Sequence, residues 1–280
     1  MYLKKQLVMY YKEGRIQMSN SLKILMLDIE TSPTLANMWG MYQELTSYDF
    51  IVKDWRILCW AGKFLGDKKI HSSALVDFPK EYQKNPENDR LILEKLWKLM
   101  DEADIICGHN INDFDIKKIN ARFIQNGFKA PSPYRTIDTL KICRSSFAFT
   151  SNKLNDVSQM LGLGQKVDTG GFKLWRDCIK GDMKAWHKMV KYCKNDIVLL
   201  EKVYMKLRPF MSQHPHMNIE SPRPCCPKCA SSAIQFRGYS LTSTGKFRRF
   251  QCQNSACGGW GAMRVNELPK GSNKNITKNA

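Results

Sequence analysis

Four contiguous apolar residues, Ile24 to Leu27, run without a break into Asp28-Ile29-Glu30. A short apolar run of this kind reads as a buried central strand, here Lys23 to Glu30, and points to an α/β fold. Side chains alternate across a strand, so Asp28 and Glu30 project from one face. Two acids at the end of a buried strand are costly to desolvate unless a cation compensates them. Taken singly, the pair is also compatible with a strand-end turn through Thr31, Ser32 and Pro33.

Two later segments carry further acids. A second largely apolar strand, Ala103 to Cys107, leads through Gly108, His109 and Asn110 to a helix with Ile116, Ile119, Phe123 and Ile124 on one face. Asp113 and Asp115 both fall near its first turn. Asp113 suits a helix cap, whereas Asp115, slightly further in, could face the strand end where Asp28 emerges. A long helix is expected over roughly Asp182 to Leu207, stopped by Pro209, with one buried stripe from Trp186 to Leu207. Tyr192 and Asp196 are four apart and therefore stack along the border of that stripe. Alone, they read as a packed tyrosine and a surface acid. Carboxylates gathered from distant segments suit hard divalent cations, and such cations suit phosphodiester hydrolysis.

LDIET, HNINDFD and Y-x-x-x-D, in this order and spacing, resemble the three motifs of the DEDD superfamily of 3′-to-5′ exonucleases, over residues 22 to about 210. The tyrosine four before the last aspartate resembles the tyrosine-type subclass; position 191 is Lys191. KLNDVSQMLGL and TIDTLKICR are similar to connecting segments of polymerase exonuclease domains. The resemblance implies a ribonuclease H-like mixed β-sheet flanked by helices. It also implies that Asp28, Glu30, Asp115 and Asp196 hold two Mg²⁺ or Mn²⁺ ions and that Tyr192 orients the attacking water. The physics agrees: two unit charges about 4 Å apart repel by roughly 4 kcal/mol at an effective dielectric of about 20. Two divalent ions would relieve that repulsion, activate water and stabilise the leaving 3′ oxygen. A phenol of high pKa is a poor base near neutrality, so holding water suits Tyr192 better.

Five of the ten cysteines cluster near the C-terminus. Cys226-Pro-Lys-Cys229 forms a short knuckle, and Cys252 and Cys257 supply a second pair, a spacing that serves one tetrahedral Zn²⁺. Cys225 is the alternative to Cys226, which is preferred because Pro227 then lies inside the turn. No apolar signal-peptide core precedes them, which favours zinc over disulfides. The segment resembles a zinc ribbon, with strands at Ile234–Phe236 and Lys246–Gln251. Cys59, Cys107, Cys143, Cys178 and Cys193 stand singly, with burial the default.

Net charge is +18 and the isoelectric point about 9.5, a bias toward polyanions. From Ser221 to Ala280 there are ten Lys or Arg against the single acid Glu267. Arg237, Lys246, Arg248 and Arg249 interleave with aromatics, as phosphate contacts beside base-stacking rings would. Thr31, Asn110 and Lys173 complete the candidate nucleic-acid contacts, Lys173 lying in an Asp168-to-Trp175 segment that could touch a strand end. The reading divides the chain into an extension (1–20, of which residues 1–17 are an accessory helix or a segment upstream of Met18), an exonuclease domain (21–211), a linker (212–224) with solvated His214 and His216, a zinc ribbon (225–266) and a disordered tail (267–280).

No apolar run approaches the length of a membrane span. The whole is expected to be a stand-alone exonuclease removing 5′-mononucleotides from single-stranded nucleic acid, DNA favoured. It resembles small nucleases of bacteriophage replication or recombination modules, implying a bacterial or phage-infected cytoplasm and replication or recombination proteins as partners. Two alternatives use the same scaffold: an RNA-trimming exonuclease and a structure-selective endonuclease. A third is a catalytically inert nucleic-acid-binding adaptor.

Overall fold

The computed structural model describes residues 9–12, 15–18, 22–40, 46–243 and 245–265, in two compact units. One comprises Lys23–Val203; the other joins the N-terminal residues to everything from Tyr204 onward. The expected tail lies outside the described residues. At the other end a two-stranded hairpin, β1 (Met9–Lys12) and β2 (Arg15–Met18), stands where a helix was one expectation.

The larger unit opens with β3 (Ile24–Thr31), whose residues Ile24 to Leu27 are at most 2% exposed. A short excursion, β4 (Leu35–Ala36) and β5 (Ile51–Lys53), returns the chain to β6 (Ile57–Phe64) and β7 (His71–Ala74). Helices α1 (Pro79–Lys84) and α2 (Arg90–Glu102) follow, then β8 (Ile105–Gly108), α3 (Asp115–Gln125) and β9 (Arg135–Asp138). The unit continues with α4 (Thr139–Ser146), α5 (Leu154–Met160), α6 (Lys173–Ile179) and α7 (Met183–Leu207), the last running on into the second unit.

Five strands form one sheet in the order β7-β6-β3-β8-β9. β6 runs antiparallel to β3, whereas β8 and β9 run parallel to it. The acid-bearing strand is therefore the middle of a mixed sheet. Its pairing with β8 ends at Met26↔Cys107, so Asp28 and Glu30 extend past the last rung on that side. Crevices outside the carboxyl ends of parallel strands are where α/β sheets place ligands. Gly108 makes the exit from β8 feasible: a Cβ there would meet the Ile111 side chain at 2.4 Å.

Most sequence periodicities translate directly. Ile119 and Phe123 are buried on α3, and Trp186, Met189, Cys193, Ile197, Leu200 and Val203 on α7. Ile124 does not follow, being 77% exposed one residue off the α3 stripe. Buried Asp89 takes Arg122 bidentately at 2.7 Å for both bonds and accepts from Ile57 N at 3.1 Å, tying α3 to the start of β6.

The second unit carries an antiparallel sheet of β10 (Ile234–Thr242), β11 (Gly245–Cys252) and β12 (Trp260–Arg264). The third strand has no counterpart among the expected two. His214, read from sequence as solvated, is half-buried, with Nε2 2.8 Å from the Tyr204 hydroxyl and Nδ1 2.7 Å from Pro215 O. Burial pushes its pKa down to about 4. His216 is exposed. Among the described residues no helix is long and apolar enough to cross a membrane.

Candidate metal centres and nuclease site

The end of β3 and the middle of α7 bring three acids together. Carboxylate oxygens of Asp28, Glu30 and Asp196 all lie within 4.8 Å of one another. Asp115, the first residue of α3, is held against the same strand: its Oδ1 accepts from the amide of Ile29, between the two β3 acids, at 3.1 Å. It is 4% exposed and Asp196 1%. Asp113 lies elsewhere, exposed and bridging Lys117 (3.3 Å) and Lys141 (3.0 Å).

The electrostatics of this group are unfavourable without a cation. Burial, then repulsion by Glu30, Asp115 and Asp196, pushes the Asp28 pKa far up. Burial, followed by the Asp196 charge, raises Glu30 to about 8, and burial raises Asp115 to about 7. Asp196 is also raised by burial, against the pull of Lys166. Its Oδ1 is buried with no hydrogen-bond partner. An orphaned oxygen on a buried acid, beside two more acids, fits a cation, and the all-oxygen donor set suits Mg²⁺ or Mn²⁺.

Lys166, one of 44 basic residues and marked by no motif, supplies one positive charge beside these acids. Its Nζ lies 2.5 Å from Asp196 Oδ2 and 3.0 Å from the Tyr192 hydroxyl. Burial opposes its charge, yet the Asp196 charge and hydrogen bond outweigh that and raise its pKa. Burial and then Asp196 raise the Tyr192 pKa, keeping the phenol neutral. Trp175 lies beside Glu30, where its indole works against the upward pKa shift, and packs edge-on to Tyr192 with ring centroids 6.2 Å apart. The Asp168-to-Trp175 segment thus touches the strand end through its tryptophan, while Lys173 pairs with Asp177 on an exposed face. Cys193 packs its thiol 3.6 Å from Asp28 Oδ2.

Two other sequence candidates flank the acids. Thr31 follows them on β3, half-buried. Asn110 takes a left-handed backbone, φ 69°, and its amide donates to Asp138 Oδ1 at 3.0 Å. Asp138 also caps α4, so one buried acid fixes the loop leading to Asp115.

In the second unit the sulfurs of Cys226, Cys229, Cys252 and Cys257 lie within 4.8 Å of one another. Cys226 is 3.8 Å from Cys257, and Cys229 3.6 Å from Cys252. Tetrahedral Zn–S bonds of about 2.3 Å require sulfurs about 3.8 Å apart, so the four could hold zinc. Cys225 turns away, its thiol 3.5 Å from Asn218 O. Lys228 and Arg208, both buried, add positive charge beside Cys257. Lys228 donates to Pro209 O, and Arg208 Nη2 donates to Ala256 O at 3.0 Å. The remaining basic candidates lie on the sheet: Arg237 bonds Gln235 Oε1 at 2.8 Å, and Lys246, Arg248 and Arg249 lie on β11.

No curated protein matches the chain by sequence. In structure it is similar to the family B DNA polymerase from the hyperthermophilic archaeon Pyrobaculum calidifontis, at a TM-score of 0.50 and 16% identity. The similarity covers 71% of this chain but only 26% of that polymerase, and it bears on the fold alone. A family profile described as RNase_H superfamily matches residues 65–208, from the end of β6 to the end of α7, a stretch that includes Asp115, Tyr192 and Asp196. A mixed five-stranded sheet flanked by helices is the ribonuclease H-like architecture expected from the sequence, and with more than half of its residues matched the chain belongs to the RNase_H superfamily.

Proposed function

We propose that the protein is a metal-dependent 3′-to-5′ exonuclease acting on single-stranded nucleic acid, DNA favoured. The observation that carries this is the meeting of Asp28, Glu30 and Asp196 from β3 and α7, with one Asp196 oxygen left unsatisfied. Asp28, Glu30, Asp115 and Asp196 would hold two Mg²⁺ or Mn²⁺ ions. When bound, such ions polarise a phosphodiester and activate water beside it. The chain's own residues do the positioning. Tyr192, neutral at physiological pH, offers its hydroxyl to a water as donor or acceptor rather than taking its proton. Trp175, beside Glu30, packs against one flank of the Tyr192 ring. Thr31, next after Glu30 on β3, and Asn110, in the loop leading to Asp115, would contact the terminal nucleotide. The ribonuclease H-like fold supports a nuclease, and the polymerase likeness favours DNA.

A single strand labelled at its 5′ end, incubated with Mg²⁺ or Mn²⁺, is expected to shorten progressively to a ladder. A discrete internal product would instead indicate an endonuclease, and preference for an RNA strand would indicate a trimming enzyme. Binding without turnover under either metal would leave the inert adaptor.

Lys166 gives a second test of the same site. Lys166→Met should lower single-turnover cleavage about 10- to 100-fold, the range for residues that orient metal ligands. Lys166→Arg should recover part of it, because a cation again bridges Asp196 and Tyr192. Equal rates for the Met variant and wild type would mean that Lys166 leaves the site when metal enters.

A further inference from the structure

The two faces of the C-terminal sheet are built differently. Cross-strand partners share a face. Ile234 is paired with Cys252, and Phe236 with Phe250, and this side faces the thiol cluster; Phe250 and Cys252 are buried. On the same side Arg248 lies 4.0 Å over the Phe236 ring and Lys246 4.4 Å over Tyr239. The opposite side carries Arg249 paired with Ala262, and Gln251 paired with Trp260. There the chain leaves an open recess of about 420 Å³ lined by Ser240, Arg249, Trp260, Gly261 and Ala262.

Three properties of that recess bear on its occupant. Its floor is backbone and a single methyl: Ala262 pairs with Arg249 on this side, whereas Gly261 pairs with Phe250, so that its Cβ would point to the other face and meet the Phe250 ring at 2.3 Å. One wall is the Trp260 indole, 46% exposed. The Arg249 guanidinium sits 6.0 Å from the indole centroid, at the outer limit of a cation–π contact, and its residue is exposed. The charge around it is of one sign: residues 225–265 include six Lys or Arg and no carboxylate. A tetrathiolate zinc site would subtract two charges and leave four.

We propose that this recess binds single-stranded nucleic acid, with a base stacked on Trp260 and the adjoining phosphate held by Arg249. Flat rings joined by anionic links match an exposed indole beside a guanidinium above a small-residue floor. An acidic protein surface would use the charge and leave the space beside the indole empty. The proposal rests on the nuclease reading only for the class of ligand. It places the contact on one face of the sheet, so Trp260 and Arg249 matter more than Lys246 and Arg248, whose cations already lie over rings.

The test is fluorescence anisotropy on the full, zinc-loaded chain with 5′-labelled oligothymidylate and oligouridylate, Mg²⁺ and Mn²⁺ being left out to prevent cleavage. Trp260→Ala should weaken binding about tenfold, in line with the loss of one stacked base, and Trp260→Phe should retain most of it. Arg249→Gln should reduce the slope of log affinity against log salt by about 0.7, one phosphate contact on a single strand. The two probes separate DNA from RNA. Zinc content, measured on every variant, separates lost contact from lost fold; should Trp260→Ala shed zinc, the Phe and Arg249 variants decide. Wild-type affinity and salt slope in the zinc-retaining variants would overturn the proposal and assign the recess to a protein ligand. Loss of binding at Trp260 together with full cleavage by an Asp196 variant would keep this proposal and sink the nuclease site.

Discussion

Alanine in place of Asp28 or Asp196 is expected to abolish cleavage of a single strand, by at least about a thousandfold, equivalent to some 4 kcal/mol of lost transition-state stabilisation. Each variant removes one of the three oxygens that meet within 4.8 Å, and neither leaves a donor set able to keep a pair of cations. The same substitutions should not harm folding. Burial and mutual repulsion hold the Asp28, Glu30 and Asp115 pKa values above their unfolded values, Glu30 at about 8 and Asp115 at about 7. A carboxyl whose folded pKa is raised favours the folded state below its unfolded pKa and ceases to do so as pH rises through the folded value. The metal-free wild type should therefore lose stability from about pH 4 to pH 8. At pH 8 without divalent ions, Asp28→Ala should melt at or above wild type, and Mg²⁺ should raise the wild-type midpoint more than the variant's. Calorimetry with and without metal checks both signs. Activity without stability is a known compromise of sites built from like charges.

Removal of the zinc ligands should have the next largest effect, confined to the second unit. Structural zinc contributes roughly 10–16 kcal/mol of apparent binding free energy, far more than a module of this size gains from its apolar core. Around the site that core is Cys226, Cys252 and Cys257, with Cys229 and Ile234 packed against them and Phe250 buried on the same side of the sheet, so the ligands make up most of it. Cys229→Ser, or a strong chelator, should unfold β10 to β12. The change would be read as loss of their amide hydrogen-exchange protection and release of one zinc per chain. Amides of β3, β6 and β8 should stay protected. Cys225→Ser should do neither, because its thiol lies against Asn218 O outside the sulfur cluster.

What was legible in the sequence was whatever repeats or punctuates. The apolar run before Asp28 and the stripe of α7 ended by Pro209 gave β3 and α7 nearly to the residue, and with them the acids that meet. Lys166 was not legible because it lies on an irregular segment, one lysine among many, and only tertiary placement sets it beside Asp196 and Tyr192. Trp175 gave a partial signal through its paired glycines. His214 was misread for the same reason as Lys166: its partner, Tyr204, comes from the preceding helix, ten residues back, and no local pattern announces the bond. Ile124 shows the opposite failure, an apolar residue at a helical step that the α3 stripe does not need. Strand β12 was hidden by its glycine- and alanine-rich sequence, Trp260 to Arg264, which carries little strand propensity and forms because β11 supplies a ladder.

The central claim is that Asp28, Glu30, Asp115 and Asp196 form one site for a pair of divalent cations. Electron paramagnetic resonance of added Mn²⁺ counts bound ions directly. Two per chain are expected for the wild type, with at least one lost in both Asp28→Ala and Asp196→Ala. The same Mn²⁺ count in wild type and both variants, or no bound ion while cleavage proceeds, would contradict it.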